Sequence, residues 1–149
     1  MKKLFLNLIL AILTISCASS NNTTDVEKVH FYDKNGNTIQ LSELYNILDN
    51  HLIEQNINGK IVKSEVKEFK HIKSNKIVLI GYTNDRNLNI GAELTEFKNG
   101  FKLNNHFIIC SNCNTLNDEM NIDYKDEFLI CKSNNNSDCI KHSIATGEN

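Results

Sequence analysis

Apolar positions recur with a period of two along most of this chain and with a helical period once. Val29 and Phe31, then Ile39 and Leu41, alternate with polar neighbours around Asp33-Lys34-Asn35-Gly36-Asn37. That polar segment supplies the φ > 0 positions a tight turn requires, so Val26 to Leu41 is predicted as a β-hairpin. From Leu41 the spacing changes. Leu41, Leu44, Tyr45, Leu48 and Leu52 fall at i, i+3, i+4 intervals and predict an amphipathic helix to about Asn56. Ser42 is placed to cap its start and Asn58-Gly59 to end it. The stripe is expected to be core, because one face of a surface helix must pack.

Residues 60–72 fit two patterns. Val62, Val66 and Phe69 suit a helix face, whereas the Val, Ile and Phe content suits a strand. A strand over about Glu65–Ile72 is predicted. Lys76 to Thr83 contains the unbroken run Ile77-Val78-Leu79-Ile80 and is a clearer strand. Asn84 to Asn87 is a turn, Leu88 to Phe97 alternates, and Lys98-Asn99-Gly100 closes a hairpin into Phe101-Lys102-Leu103. Two similar short strands follow, Phe107-Ile108-Ile109-Cys110 and Phe128-Leu129-Ile130-Cys131, and Cys139 to Ala145 forms a last one. The predicted class is α+β: a mostly antiparallel sheet, one N-terminal helix and a disulfide-stapled C-terminal segment.

The N-terminus follows a different grammar. Met1-Lys2-Lys3 is a short positive start, and Leu4 to Ile15 is apolar apart from Asn7 and Thr14. This is the pattern of an export signal. The run is too short to cross ~30 Å of hydrocarbon as a helix, which takes about 20 residues. Leu13-Thr14-Ile15-Ser16-Cys17 resembles a lipobox, although Thr14 stands where a large aliphatic residue is usual. Cleavage before Cys17 leaves its thiol to carry a lipid. Cleavage after Ala18 is the alternative, and it gives a soluble secreted product. The expected organisation is a signal over residues 1–16, a lipidated flexible tether over 17–25 and one domain over 26–149. Two acyl chains hold a protein stably at a membrane, at about 0.8 kcal/mol per buried CH₂. The expected address is the cell envelope, at the outer membrane, with the domain periplasmic or surface-exposed.

Charge narrows the partners. There are 16 basic and 18 acidic residues, a net charge of -2, and removal of Lys2 and Lys3 makes it more negative. Nucleic-acid binding needs a basic surface and is not expected. The membrane, through the lipid, and an envelope protein are the expected partners.

Cysteine chemistry gives the remaining candidates. Beyond Cys17 stand Cys110, Cys113, Cys131 and Cys139, an even set that reads as two disulfides in an exported domain. Local pairing, Cys131–Cys139 with Cys110–Cys113, closes the polar loop between the last two; crossed pairing between the two similar strands stands beside it. Cys110-Ser111-Asn112-Cys113 also has the C-x-x-C spacing of a thiol–disulfide oxidoreductase. Such a motif begins at a helix N-terminus, and here it follows a strand. A zinc site needs a second knuckle, for which Cys131 and Cys139 are too far apart; His106 and His142 can substitute, but oxidation competes. Haem attachment fails at Asn114. No metal and no cofactor are expected.

No catalytic constellation stands out. His30, His51, His71, His106 and His142 are scattered, with His51 on the helix and either solvent-facing or packed. Asp118-Glu119, Asp123 and Asp126-Glu127 form an acidic cluster without a calcium-loop pattern. Ile90-Gly91-Ala92-Glu93-Leu94, Phe97-Lys98-Asn99-Gly100-Phe101-Lys102-Leu103, Cys110-Ser111-Asn112-Cys113 and the Cys139–Thr146 strand together resemble small lipoproteins of Bacteroidetes-type bacteria. The resemblance covers the last third to half of the chain. It implies an envelope location and carries over no function. The expected function is a noncatalytic binding or interaction module. The alternatives are an inhibitor of a host hydrolase such as lysozyme, and an oxidoreductase using Cys110 and Cys113.

Overall fold

The computed structural model describes residues 23–70, 75–112, 122–125, 128–132 and 139–145. The segment expected to be an export signal, Cys17, Cys113 and His71 lie outside them. The described residues form ten strands: β1 (Thr23–Thr24), β2 (His30–Tyr32), β3 (Thr38–Ile39), β4 (Ile61–Lys70), β5 (Asn75–Thr83), β6 (Asn89–Phe97), β7 (Gly100–Ser111), β8 (Ile122–Lys125), β9 (Phe128–Cys131) and β10 (Ile140–Ala145). One α-helix, α1, covers Leu41–Glu54. Among the described residues no helix is long and apolar enough to cross a membrane.

The main sheet runs β1-β4-β5-β6-β7 with antiparallel neighbours. The far edge of β7 is shared between two strands. Its start pairs in parallel with β2, from His30↔Gly100 to Tyr32↔Lys102, and β3 follows outside β2. Its end pairs antiparallel with β10, from Ile140↔Ser111 to Ala145↔His106. β8 and β9 form a separate two-stranded sheet. The class is α+β, as the sequence pattern predicts.

Each face of the main sheet buries its own apolar set. Ile77 and Leu79 of β5, Ile90, Ala92 and Leu94 of β6, and Phe107 and Ile109 of β7 meet Leu44, Leu48 and Leu52 of the helix. Val78, Ile80, Ile108 and Cys110 meet Ile122, Tyr124 and Leu129 of β8 and β9. Strands covered on both faces read as continuous apolar runs, which explains Ile77–Ile80 and Phe107–Cys110. Leu44, Leu48 and Leu52 are wholly buried, each contributing about 1.5–3 kcal/mol of transfer free energy.

Local chemistry sets the elements. The Asp33 carboxylate accepts hydrogen bonds from the backbone N–H of Asn35 and Asn37 and from the Asn37 amide. The Asn37 side chain foremost, then its backbone, holds that carboxyl below its ordinary value. Gly36 takes φ 82°, so the predicted turn and hairpin form, with Phe31 opposite Ile39. The hairpin is shorter than its predicted span, because Asp25 accepts from Glu27 N and winds Val26–Lys28 into a 3-10 turn.

The helix ends differ from expectation. Its N-cap is Gln40, with no side-chain cap bond, so Ser42 lies inside the helix. Its C-terminus closes at Asn56, φ 56°, before Asn58-Gly59. Asn56 N donates to Ile53 O and Ile57 N to Leu52 O, which satisfies carbonyls the helix leaves open.

Three strands also differ. β4 starts at Ile61, earlier than predicted. Its helix-like spacing arises because Val66 faces the helix side, Phe69 the opposite side, and Val62 is exposed beside a register shift. Phe101–Leu103 and Phe107–Cys110 are parts of one twelve-residue strand. Thr23 and Thr24, placed in the tether by composition, pair with Lys67 and Val66.

Gly100 is needed for contact. A Cβ there would collide with the backbone carbonyl of His30 on the adjacent parallel strand. The positive φ of the β6–β7 turn falls on Lys98 instead, at 53°. Gly100→Ala is expected to lower the unfolding free energy by about 1–3 kcal/mol, the usual range for a steric clash in a packed site. Urea denaturation measures this, and an unchanged midpoint would contradict the β2–β7 pairing.

Candidate functional site

The polar residues with the most structure around them lie where the β6–β7 register breaks. Ala92 pairs with Phe107 and Leu94 with Leu103, so Glu93 alone on β6 faces Asn104, Asn105 and His106 on β7. The Glu93 side chain is only 14% exposed. Its Oε1 lies 3.1 Å from His106 Nδ1 and its Oε2 3.9 Å from Lys76 Nζ. A carboxylate on Nδ1 fixes the orientation of an imidazole ring.

Beside this group the sheet splays. Pairing of β5 with β6 ends at Ile77↔Leu94, while β5 continues to Asn75 on β4 and β6 to Phe97 on β7. An open cavity of 580 Å³ occupies the gap. Glu68, Asn75 and Lys76 line one side; Glu93, Thr95, Glu96 and Asn104 line the other. The Asn75 amide donates to Glu68 Oε1 at 2.8 Å, and Thr95 Oγ1 to Asn104 Oδ1 at 2.9 Å. Most polar groups of the notch therefore have partners within it. A general base needs a nucleophile or a bound water to act upon. Among the described residues no nucleophilic side chain is hydrogen-bonded to His106, and none of their His, Cys, Asp and Glu side chains gather in threes as a metal site.

Cys110 and Cys131 are structural. Cys110 is wholly buried and bonded to Cys131, with Cα atoms 5.5 Å apart. The crossed alternative holds, and the local pairing of Cys110 with Cys113 and Cys131 with Cys139 does not. Register explains it: Cys110 ends the apolar run of β7 on the face that β9 covers, where it meets Cys131, the last residue of β9. Cys139 is also held in a disulfide, with a partner outside the described residues. Cys110 is thus not available for the C-x-x-C pair that the redox alternative requires.

No family model, curated protein or solved structure matches the chain. The site has to be judged on its own geometry.

The other histidines fall apart in space. His51 is packed, its ring 4.0 Å from that of Phe107 and its Nδ1 3.1 Å from Glu54 Oε2. His30 is exposed on β2, and His142 lies on β10. Of the acidic cluster, Asp123 accepts from the N–H of Tyr124, and the other four residues lie outside the described set. Sequence reasoning missed the Glu93–His106–Lys76 group. Its only local trace is a polar residue between Ala92 and Leu94, which reads as an ordinary solvent-facing position.

Two outcomes follow from these contacts. Peptide mapping without reduction should recover Cys110 linked to Cys131; a Cys110–Cys113 link would refute the arrangement. The double variant Cys110→Ala/Cys131→Ala should lose about 3 kcal/mol in denaturant unfolding, the chain-entropy value for a loop of this length.

Tyr82 gives a pH dependence. Its hydroxyl donates to Glu65 Oε1 at 2.7 Å, and burial, then Glu65, push its pKa far above the ordinary 10. Above pH 10 the unfolded chain releases this proton while the folded chain keeps it, so stability falls as pH rises. Tyr82→Phe should flatten the decline measured between pH 10 and 11; an unchanged slope would rule out this origin.

Proposed function

We propose that the chain is an envelope lipoprotein, anchored through Cys17 at the outer membrane, whose α+β domain is a noncatalytic binding or interaction module. The observation that carries this reading is oxidised sulfur inside the core. Cys110–Cys131 joins β7 to the small sheet, with Cys110 wholly buried and Cys131 half-buried. Stable disulfides of this kind belong to oxidising compartments. Five cysteines are an odd number, and two disulfides use four. The reading pairs Cys139 with Cys113 and leaves Cys17 for the lipid.

The first strand supports the anchor geometry. Thr23 is already paired in β1, so five residues separate it from Cys17. Fully extended, they reach about 20 Å. The domain is therefore held close to the bilayer by one end of its sheet. Thr23 pairs with Lys67 near the end of β4, where β5 and β7 begin.

The binding role rests on the chemistry of the fold. The cysteines staple, the polar notch is internally bonded, and His106 has an orienting carboxylate without a reacting partner. Cys17→Ser should move the protein from the membrane fraction to the soluble fraction and abolish fatty-acid labelling. Retention on the membrane after that change would defeat the anchor assignment. Intact mass under native conditions should show two disulfides and a diacylglyceryl adduct; a product beginning at Met1 with reduced thiols would defeat the whole reading.

A further inference from the structure

We infer that Asn58 is a self-modification site: the Gly59 nitrogen attacks its side-chain amide, and the folded protein acquires an aspartate or isoaspartate there. The chain holds three Asn-Gly pairs, Asn35-Gly36, Asn58-Gly59 and Asn99-Gly100. A glycine carries no side chain on its α-carbon, so its nitrogen is the least hindered main-chain nucleophile an asparagine amide can meet. Asparagine is accordingly among the thermolabile residues. The fold treats the three pairs differently.

The reaction consumes water alone. Gly59 N gives up its proton to solvent base and bonds to Asn58 Cγ. The Cγ–Nδ2 bond breaks, and the departing nitrogen takes a proton back from solvent and leaves as ammonia. Water then opens the cyclic imide. Addition at the side-chain carbonyl gives aspartate. Addition at the main-chain carbonyl gives isoaspartate, with the main chain running through Cβ and Cγ.

Two of the pairs are locked. Gly36 N donates to the Asp33 carbonyl at 3.0 Å, inside the turn whose other amides the Asp33 carboxylate holds. Attack by that nitrogen must break this bond first. In Asn99-Gly100 the amide itself is held, because the Tyr32 hydroxyl donates to Asn99 Oδ1 at 2.6 Å. Gly100 is paired with Phe97 on β6 and with His30 on β2, and it lies against the His30 carbonyl. The main-chain swing that brings its nitrogen onto Cγ has no room.

Asn58-Gly59 has neither lock. The chain leaves α1 with Ile57 N on the Leu52 carbonyl. It enters β4 with Lys60 N on Asn84 Oδ1 at 2.9 Å and Ile61 N on Asp49 Oδ1 at 2.8 Å. Between these pinned points, neither Asn58 nor Gly59 has a hydrogen bond among the described residues. Asn58 is exposed, so solvent base and water reach its amide.

The test ages the purified full-length protein in mildly alkaline buffer, folded or unfolded in guanidinium chloride, and maps its peptides. In the unfolded sample all three pairs are free and set the reference rates. Folding is expected to slow Asn35 and Asn99 about tenfold or more, the rate equivalent of a hydrogen bond that must break first. Asn58 should keep its unfolded rate, its peptide exchanging ammonia for water in mass and splitting into two chromatographic forms. Slowing of Asn58 as strong as that of the other two overturns the inference, and so does faster reaction at Asn35 or Asn99 in the folded chain.

Asn58→Gln sets the amide one carbon further from Gly59 N and keeps the loop polar. The variant should keep the parental melting temperature and lose most of the acidic fraction that ion exchange resolves from the aged parent. An undiminished acidic fraction places the modification elsewhere and overturns the assignment. The site is independent of the anchor and of any partner, so its failure leaves the proposed function untouched.

Discussion

Burial of both faces of β5, β6 and β7 is the constraint on which the rest of this structure depends. Val78, Ile80, Ile108 and Cys110 point away from the helix and are as inaccessible as Leu79, Ile90 and Ile109, which point toward it. A sheet with two apolar faces needs two covers. The helix supplies one with Leu44, Leu48 and Leu52. The other comes from β8 and β9, four residues each, too little chain to hold its place by burial alone. The Cys110–Cys131 bond ties that small cover to the strand it shields, and Lys141 joins β10 to it through the Leu129 carbonyl. The disulfide acts on the unfolded chain as well, removing freedom that β8 and β9 would otherwise regain.

The elements were legible where one physical signal dominated. Leu44, Leu48 and Leu52 announced the helix, Asp33–Asn37 announced the first turn, and Ile77–Ile80 announced a strand covered on both sides. Errors arose where two signals shared a residue. Val62, Val66 and Phe69 imitate a helix face because they occupy an exposed bulge position and the two opposite faces of β4. Asn104, Asn105 and His106 read as a break between two strands, yet they pass through the β6–β7 register shift without ending β7. Ser42 is a good cap by type, but the chain turns into the helix at Gln40. The site was the least legible part. Glu93 and His106 are thirteen positions apart, and only the register of β6 on β7 brings them within 3.1 Å.

The same register decided the cysteines. Local closure is attractive in sequence because a short loop is easily closed. It loses here because a strand fixes the direction of each side chain. Cys110 follows Ile108 on the face away from the helix, so its sulfur points toward β9. Two strands with similar apolar runs, each run closed by a cysteine, are then joined through that position. Their similarity reflects a shared task of closing one apolar layer from its two sides.

The two ends of the sheet differ in how they are closed. Thr23 enters beside Lys67, at the end where β5 and β6 splay and the polar notch lies. On the anchored reading proposed above, this is the end nearest the lipid. The opposite end carries the helix C-terminus, the Thr83–Leu88 turn and the start of β10. Thr83 Oγ1 bonds to Asp85 O and Leu88 O, so that turn is rigidly closed. β10 begins at this end and runs back along β7, from Ser111 to His106. The Thr83–Leu88 end is closed by backbone carbonyls on one hydroxyl, whereas at the notch two strands part and the gap is lined by polar side chains bonded to each other.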